Sequence, residues 1–140
     1  MSVLAYIDSS VLLRLVFSEN GKIQELGGFG EFYSSDLIRT ECMRTCYRAK
    51  LERKLSDLEL IHYVEVTHQV LRSIHLIPVS RSVLTRACQP FPIHTKTLDA
   101  IHLSTALMLQ EKKSDSIALL THDVKMGQTA QILGFQVIGV

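Results

Sequence analysis

The chain has 140 residues, which is enough for one hydrophobic core but too short for two domains of ordinary size, so we expect a single domain over residues 1–140. Hydrophobic residues make up 46% of the sequence and charged residues 21%, a balance that excludes a disordered chain. The formal net charge of +1 excludes nucleic-acid binding through bulk positive charge and leaves only a local basic patch.

The sequence shows neither a membrane segment nor a secretory signal. Its apolar runs end well short of the roughly 20 residues that cross a bilayer. The N-terminal segment lacks a basic stretch followed by a long apolar run and a small-residue cleavage site. We therefore expect a cytoplasmic protein that makes no membrane contact.

Three cysteines, an odd number, favour reduced thiols over a disulfide framework. Cys42 and Cys46 lie one helical turn apart, a spacing that also occurs in metal sites. No further His or Cys pair at ligand spacing completes such a site, so buried thiols are the preferred interpretation.

The first predicted element is a short strand over residues 3–7, where apolar strand-forming residues run together. Residues 8–10 (DSS) favour a helix N-cap, and the apolar density of residues 11–17 predicts a helix packed on a sheet. Asn20-Gly21 is expected to close that helix. The glycines of residues 27–30 predict a loop.

A second strand is predicted around residues 32–34, followed by a long helix from Ser35 or Asp36 towards Lys54. The next helix has a clear start, because Ser56 and Glu59 have the spacing of a capping box. Apolar residues then recur at helical spacing as far as residue 74. Residues 76–79 predict a third strand.

The last part of the chain alternates helices and strands in the same way. We predict helices over residues 80–87, from residue 97 onwards and over 124–133, with strands over 117–121 and 135–140. Strands that alternate with helices predict an α/β protein with three layers, in which helices cover both faces of a mostly parallel central sheet of about five strands.

Four acidic residues fall at comparable places in this predicted fold. Asp8 and Asp123 follow strands, whereas Glu41 and Asp99 lie in the first turns of helices. Ligands bind beyond the carboxyl ends of the strands in open α/β sheets, so the four side chains are expected to converge there. Clustered carboxylates repel one another unless cations neutralise them, and oxygen ligands favour Mg²⁺, or alternatively Mn²⁺. The natural reaction for such a site is phosphodiester hydrolysis.

Each acid also has a structural interpretation. Asp8 and Asp99 have the position of helix caps, and Asp123 that of a turn residue. Glu41 has an arginine one helical turn away with which it can form an ion pair. The coincidence of two strand ends and two helix starts at one edge favours the functional interpretation.

Further residues near the acids are candidates for supporting roles. Four polar side chains are candidates to hold hydrogen bonds to a carboxylate or a metal-bound water: Ser9, Ser10, Thr121 and His102. Capping and burial in the core explain these four about as well. The segment from Arg39 to Lys54 is rich in cations, and Arg44 and Arg48 share the helix face of Glu41. We predict that these two arginines bind phosphates of the substrate.

Several segments together resemble the PIN-domain family and, in chain length, its VapC-type toxins. They are residues 6–10 (YIDSS), Glu41, residues 97–103 (TLDAIHL) with the following STA, residues 120–123 (LTHD) and residues 133–135 (LGF). The resemblance covers nearly the whole chain. It implies a doubly wound α/β fold, RNA cleavage with Mg²⁺ or Mn²⁺, homodimers, and inhibition by a small antitoxin protein.

The leading hypothesis is thus an endoribonuclease in which Asp8, Glu41 and Asp99 bind Mg²⁺ and Asp123 completes the site. Two alternatives remain open at this point. One is a catalytically silent PIN-like module that binds RNA or a protein partner. The other is a metal-dependent phosphatase that acts on a small molecule.

Overall fold

A computed structural model describes residues 3–17, 24–113 and 116–140. Their strands form one sheet in which every neighbouring pair is parallel. The strands are β1 (Leu4–Ile7), β2 (Glu31–Ser35), β3 (His75–Ile77), β4 (Ile117–Leu120) and β5 (Gln136–Ile138). Their order in the sheet is β3-β2-β1-β4-β5. The predicted parallel α/β architecture is confirmed.

Helices follow the strands in the described ranges, as predicted. They are α1 (Ser9–Phe17), α2 (Leu37–Glu52), α3 (Asp57–Arg72), α4 (Arg81–Ala87), α5 (Thr97–Lys113) and α6 (Val124–Ile132). The helices α1, α2 and α3 supply the hydrophobic core on one face of the sheet, and α5 and α6 supply the core on the other. The three-layer arrangement is therefore confirmed.

Both faces of the central strands are buried, which explains their uninterrupted apolar sequences. In β1, Ala5 and Ile7 face the core formed with α1 to α3, whereas Leu4 and Tyr6 face the core formed with α5 and α6. All four side chains are buried. The sequence of β4 alternates between the two cores in the same way.

The path of the chain brings the ends of β1 and β4 together. From β1 the chain moves outward to β2 and β3, then returns to place β4 on the other side of β1. The backbone N–H of Asp8 donates to the carbonyl of Leu120 at 3.1 Å. This junction is the switch point at which ligands bind in open α/β sheets.

Element boundaries differ from the predictions in a few places. The third strand ends at Ile77 rather than at residue 79, because Pro78 has no N–H to donate to a neighbouring strand. A short 3₁₀ helix (Gln24–Gly28) occupies part of the predicted loop over residues 27–30. The predicted capping box is present: the Ser56 hydroxyl accepts the Glu59 N–H, and the Glu59 carboxylate accepts the Ser56 N–H. The predicted helix end at Asn20-Gly21 lies outside the described residues.

The cysteines are as expected. Cys42 and Cys46 are buried free thiols, and burial raises the pKa of the Cys42 thiol, so it stays protonated. No helix in the described ranges has the length and apolar character needed to cross a membrane.

The end of α6 depends on a glycine with a left-handed backbone. Gly134 has φ +99°, and a Cβ added there would meet no atom within 4 Å. We expect Gly134→Ala to lower the free energy of unfolding by about 1–2 kcal/mol through backbone strain alone. The melting temperature should fall by about 3–6 °C.

Gly28→Ala is the matched control, because the space around Gly28 is equally open and its φ is not positive. Thermal unfolding of this variant should stay within about 0.5 kcal/mol of the unchanged chain. Equal destabilisation by both substitutions would contradict the assignment of strain to Gly134.

Candidate active site

Asp8 lies at the end of β1, and both of its carboxylate oxygens accept hydrogen bonds. Oδ1 accepts from the N–H (3.0 Å) and the hydroxyl (2.5 Å) of Ser10, and Oδ2 accepts from the Thr121 hydroxyl at 2.5 Å. Only 5% of Asp8 is exposed. Burial raises the pKa of Asp8, while the hydrogen bonds from Ser10 and Thr121 partly oppose that rise.

The same two hydroxyls connect Asp8 to the segment after β4. The Ser10 oxygen accepts the N–H of His122 at 2.9 Å, and the Thr121 oxygen accepts the N–H of Asp123 at 3.0 Å. Each hydroxyl therefore donates to Asp8 and accepts from the backbone next to Asp123. This arrangement fixes the orientation of the Asp8 carboxylate relative to the end of β4.

Glu41 reaches the site from the second turn of α2. Its Oε1 lies 2.5 Å from Nε2 of His102, which is on α5 and is almost fully buried. The other ring nitrogen of His102 lies 2.8 Å from the hydroxyl of Tyr6, which also accepts the N–H of Ser35 at 3.0 Å. A buried chain of hydrogen bonds thus connects Glu41 to β1 and β2.

Asp99 lies in the first turn of α5 and is half-buried. Its carboxylate accepts no hydrogen bond from any described residue. Burial is the largest cause that raises its pKa, and the negative charges of Asp123, Asp8 and Glu41 raise it further. The four predicted acids are therefore close enough for their charges to act on one another at Asp99.

Asp123 is exposed and caps α6, because its Oδ1 accepts the N–H of Met126 at 3.0 Å. Together with Asp99 it lines a small cavity of about 80 Å³. Lys96 and Lys125 line the same cavity, yet neither forms an ion pair within the described part of the chain. Two lysines without an ion pair to any described residue therefore lie at the outer edge of the acidic site.

The donor set is suited to a hard divalent cation, because it consists of carboxylates whose repulsion such an ion would relieve. Within residues 3–17, 24–113 and 116–140, no three His, Cys, Asp or Glu side chains already stand in a metal-binding arrangement. The other three acids are near enough to raise the pKa of Asp99, but the four are not arranged as a ready chelate. Asp99 and the second oxygen of Glu41 have no hydrogen bond to a described residue, so both remain available as ligands.

Some of the structural interpretations predicted for the acids are present in the fold. Asp8 accepts an N–H from the start of α1 and Asp123 caps α6, so both combine a capping contact with a place at the site. Glu41 pairs with His102 rather than with an arginine. Arg48 donates to Thr45, whose hydroxyl donates to the Glu41 carbonyl.

Two other predicted residues have no contacts that test their roles. Arg44 is exposed on α2 and Ser9 is half-buried at the start of α1. Neither side chain makes a hydrogen bond or an ion pair with a described residue. The predicted phosphate contact of Arg44 and the supporting role of Ser9 stay predictions.

Sequence reasoning missed three residues of this region: Tyr6, Lys96 and Lys125. Tyr6 was counted as an apolar strand residue, although its position two residues before Asp8 on the face opposite Ile7 places it towards α5. The two lysines flank Asp99 and Asp123 in the sequence, at three residues before and two residues after these acids. That spacing was the signal that could have revealed them.

Comparison with known proteins identifies the family. The model of the PIN domain matches residues 5–132. The chain belongs to the PIN-domain family. The resemblance to this family read from the sequence is thus confirmed.

A curated relative is similar to this PIN domain along nearly its whole length. Ribonuclease VapC46 of Mycobacterium tuberculosis is 32% identical over 137 residues, which is 95% of each chain. Among solved structures, a toxin–antitoxin complex from Klebsiella pneumoniae matches with a TM-score of 0.61 and 20% identity, over 86% of this chain and 88% of the other. That similarity shows a shared fold.

The charge repulsion at Asp99 leads to a stability prediction. Because the pKa values of Asp8 and Asp99 are raised above the ordinary 3.8, the folded PIN domain binds more protons than the unfolded chain just above that value. This contribution to the free energy of unfolding therefore decreases as the pH rises from about 4 towards 7. We expect Asp99→Asn to raise the melting temperature in EDTA at pH 7 by about 3 °C, or about 1 kcal/mol.

Thermal unfolding of the two proteins at pH 4 and pH 7 tests this expectation. The advantage of Asp99→Asn should be small at pH 4 and larger at pH 7, and adding Mg²⁺ at pH 7 should stabilise only the unchanged chain. A variant that is less stable than the unchanged chain at pH 7 in EDTA would show that Asp99 is a stabilising residue instead.

Proposed function

We propose that this PIN domain is a Mg²⁺-dependent endoribonuclease and the toxin of a type II toxin–antitoxin pair. The observation that carries the proposal is a connected set of acids at one edge of the sheet. The Thr121 hydroxyl donates to Asp8 and accepts the N–H of Asp123, and Asp123 lines one cavity with Asp99. A fold gains no stability from gathering four carboxylates at one edge, so a cationic ligand is the simplest reason for them. The ribonuclease name of the M. tuberculosis relative supports RNA as the substrate.

Asp8, Glu41 and Asp99 would hold Mg²⁺, and Asp123 would complete the site. When bound, Mg²⁺ lowers the pKa of a coordinated water and neutralises charge on the phosphate that is cleaved. Mn²⁺ has similar ligand preferences and is expected to substitute for it. The protein contributes a fixed arrangement of ligands, in which Ser10 and Thr121 hold Asp8 by the hydrogen bonds described above.

Cations on two sides of the acids are suited to hold the RNA strand. Arg44 and Arg48 lie on exposed turns of α2 beyond Glu41, and Lys96 and Lys125 lie beside Asp99 and Asp123. Phosphate contacts position a nucleic acid without selecting its sequence. We therefore propose that single-stranded RNA crosses the carboxylates between these two basic edges.

The proposed partners follow from the family and from the solved neighbour. The K. pneumoniae structure is a toxin–antitoxin complex, which supports a small antitoxin protein as the partner of this chain. Homodimers and a cytoplasmic location are implied by the family resemblance and belong to the same proposal.

Cleavage of a single-stranded RNA by the purified chain tests the proposal directly. We expect cleavage with Mg²⁺ and none with excess EDTA. Asp8→Asn and Asp99→Asn should each lower the rate at least 100-fold, because each removes a charged metal ligand. The measurement is product formation from an end-labelled RNA on a denaturing gel.

Glu65→Gln is the control, since Glu65 is an exposed acid on α3 away from the site. It should retain the full rate. Unchanged cleavage by Asp99→Asn would contradict the assignment of the site. RNA that binds but stays intact with every divalent metal would favour a silent binding module, and hydrolysis of a simple phosphate ester but not of RNA would favour a phosphatase.

The proposed strand path makes a separate prediction about binding. In an Asp99→Asn background, where RNA stays intact, we expect Lys96→Gln and Lys125→Gln to weaken RNA affinity by about 3- to 10-fold each. Each should reduce the slope of log affinity against log salt by about 0.7. Arg44→Gln and Arg48→Gln should behave in the same way.

Lys112→Gln provides the control, because Lys112 lies at the opposite end of α5 from Asp99. Its affinity and salt slope should match those of the parent, as measured by fluorescence anisotropy. If the two lysine substitutions leave the slope unchanged, the strand does not pass between Lys96 and Lys125.

A further inference from the structure

Glu41 is held by a buried chain of hydrogen bonds that involves no other acid of the site. The chain runs from the Ser35 N–H to the Tyr6 hydroxyl, on to Nδ1 of His102, and from Nε2 of His102 to Oε1 of Glu41. Tyr6 is 0% exposed and His102 is 1% exposed. Water therefore does not compete for these bonds, and the direction of each donor is decided within the protein.

One set of hydrogen-bond directions with a neutral His102 ring satisfies every atom of this chain. A backbone N–H can only donate, so the Tyr6 oxygen accepts from Ser35 and its own hydrogen is free to point at Nδ1 of His102. An Nδ1 that accepts this hydrogen leaves a neutral imidazole with its hydrogen on Nε2. That nitrogen faces the Glu41 carboxylate, which can only accept when ionised.

The chain also connects the elements that carry three of the acids. Tyr6 is two residues before Asp8 on β1, His102 is three residues after Asp99 on α5, and Glu41 is on α2. The ring planes of Tyr6 and His102 meet edge to face at 77°, so the contact is packed as well as hydrogen-bonded. One oxygen of Glu41 is occupied by His102, and the other has no partner among the described residues.

We propose that Tyr6 and His102 are positioning residues, which fix the ring tautomer of His102 so that Nε2–H holds Glu41 with its second oxygen free for a divalent cation. The proposal rests on the proposed function for the role of Glu41 as a metal ligand. It extends that function by two residues that touch neither the metal nor the RNA. Loss of a residue that orients a metal ligand in this way usually lowers metal affinity 10- to 100-fold.

The tautomer can be observed directly in the metal-free full-length chain. Two-bond ¹H–¹⁵N correlation spectra of His102 at pH 7 should show a protonated Nε2 and an unprotonated Nδ1. Tyr6→Phe should remove the preference and move the two nitrogen shifts towards each other. A His102 ring that carries its hydrogen on Nδ1, or on both nitrogens, would overturn the proposal.

Binding of Mn²⁺ without RNA, measured by electron paramagnetic resonance, tests the effect on Glu41. We expect His102→Ala to raise the dissociation constant at least 10-fold. His102→Gln should stay within about threefold of the unchanged chain, because the glutamine amide can place a donor near the position of Nε2. If Tyr6→Phe does not fold, this pair of His102 variants still decides the question.

Ser104→Ala is the matched control on α5. Ser104 is fully buried, and its hydroxyl has no hydrogen-bond partner in the described part of the chain, so its loss should leave Mn²⁺ affinity unchanged. Equal Mn²⁺ affinity for His102→Ala and the unchanged chain would overturn this inference and leave the proposed function standing. Failure of the unchanged chain to bind Mn²⁺ would instead overturn the proposed function, and with it the role of Glu41 as a ligand.

Discussion

Repulsion of the Asp99 carboxylate by the other acids near the ends of β1 and β4 is the constraint on which the rest of the site depends. A parallel sheet brings the residues after its central strands to one edge, and here that edge carries Asp8 and Asp123. Asp99 and Glu41 add charge from α5 and α2. Burial is the largest cause of the raised pKa of Asp99, and the other three acids raise it further. The fold therefore holds charge that weakens it, which is typical of residues kept for binding or catalysis.

Hydrogen-bond donors hold two of these carboxylates in place. Asp8 is buried, yet its oxygens are held by the hydroxyls of Ser10 and Thr121, and Glu41 is held by the ring of His102. Hydrogen bonds of this kind orient a carboxylate and favour its ionised form. Lys96 and Lys125, which pair with no acid among the described residues, lie at the outer edge, where phosphates of a nucleic acid can reach them.

The sequence alone predicted the sheet, because apolar strands buried on both faces are easy to recognise, and it predicted the places of Asp8, Asp99 and Asp123, which directly follow a strand or lie in the first turn of a helix. Glu41 lies in the second turn of α2, one turn later than its predicted place in a first turn. It did not predict the hydrogen bond from Tyr6, because an aromatic residue in an apolar strand looks like core and its partner is 96 residues away. It also treated capping and site membership as alternatives for Asp8 and Asp123, although one carboxylate can do both when a helix starts at the site. These features depend on contacts between distant segments of the chain, and the order of residues does not specify such contacts.

The central claim is that Asp8, Glu41 and Asp99 surround a divalent cation. A crystal structure of the full-length chain grown with Mn²⁺ would test it most directly, because Mn²⁺ gives an anomalous signal and binds the same oxygen ligands as Mg²⁺. We expect an anomalous peak at coordination distance from carboxylate oxygens of these three residues. Mn²⁺ bound elsewhere, with the three side chains unchanged and their cleft containing only water, would contradict it.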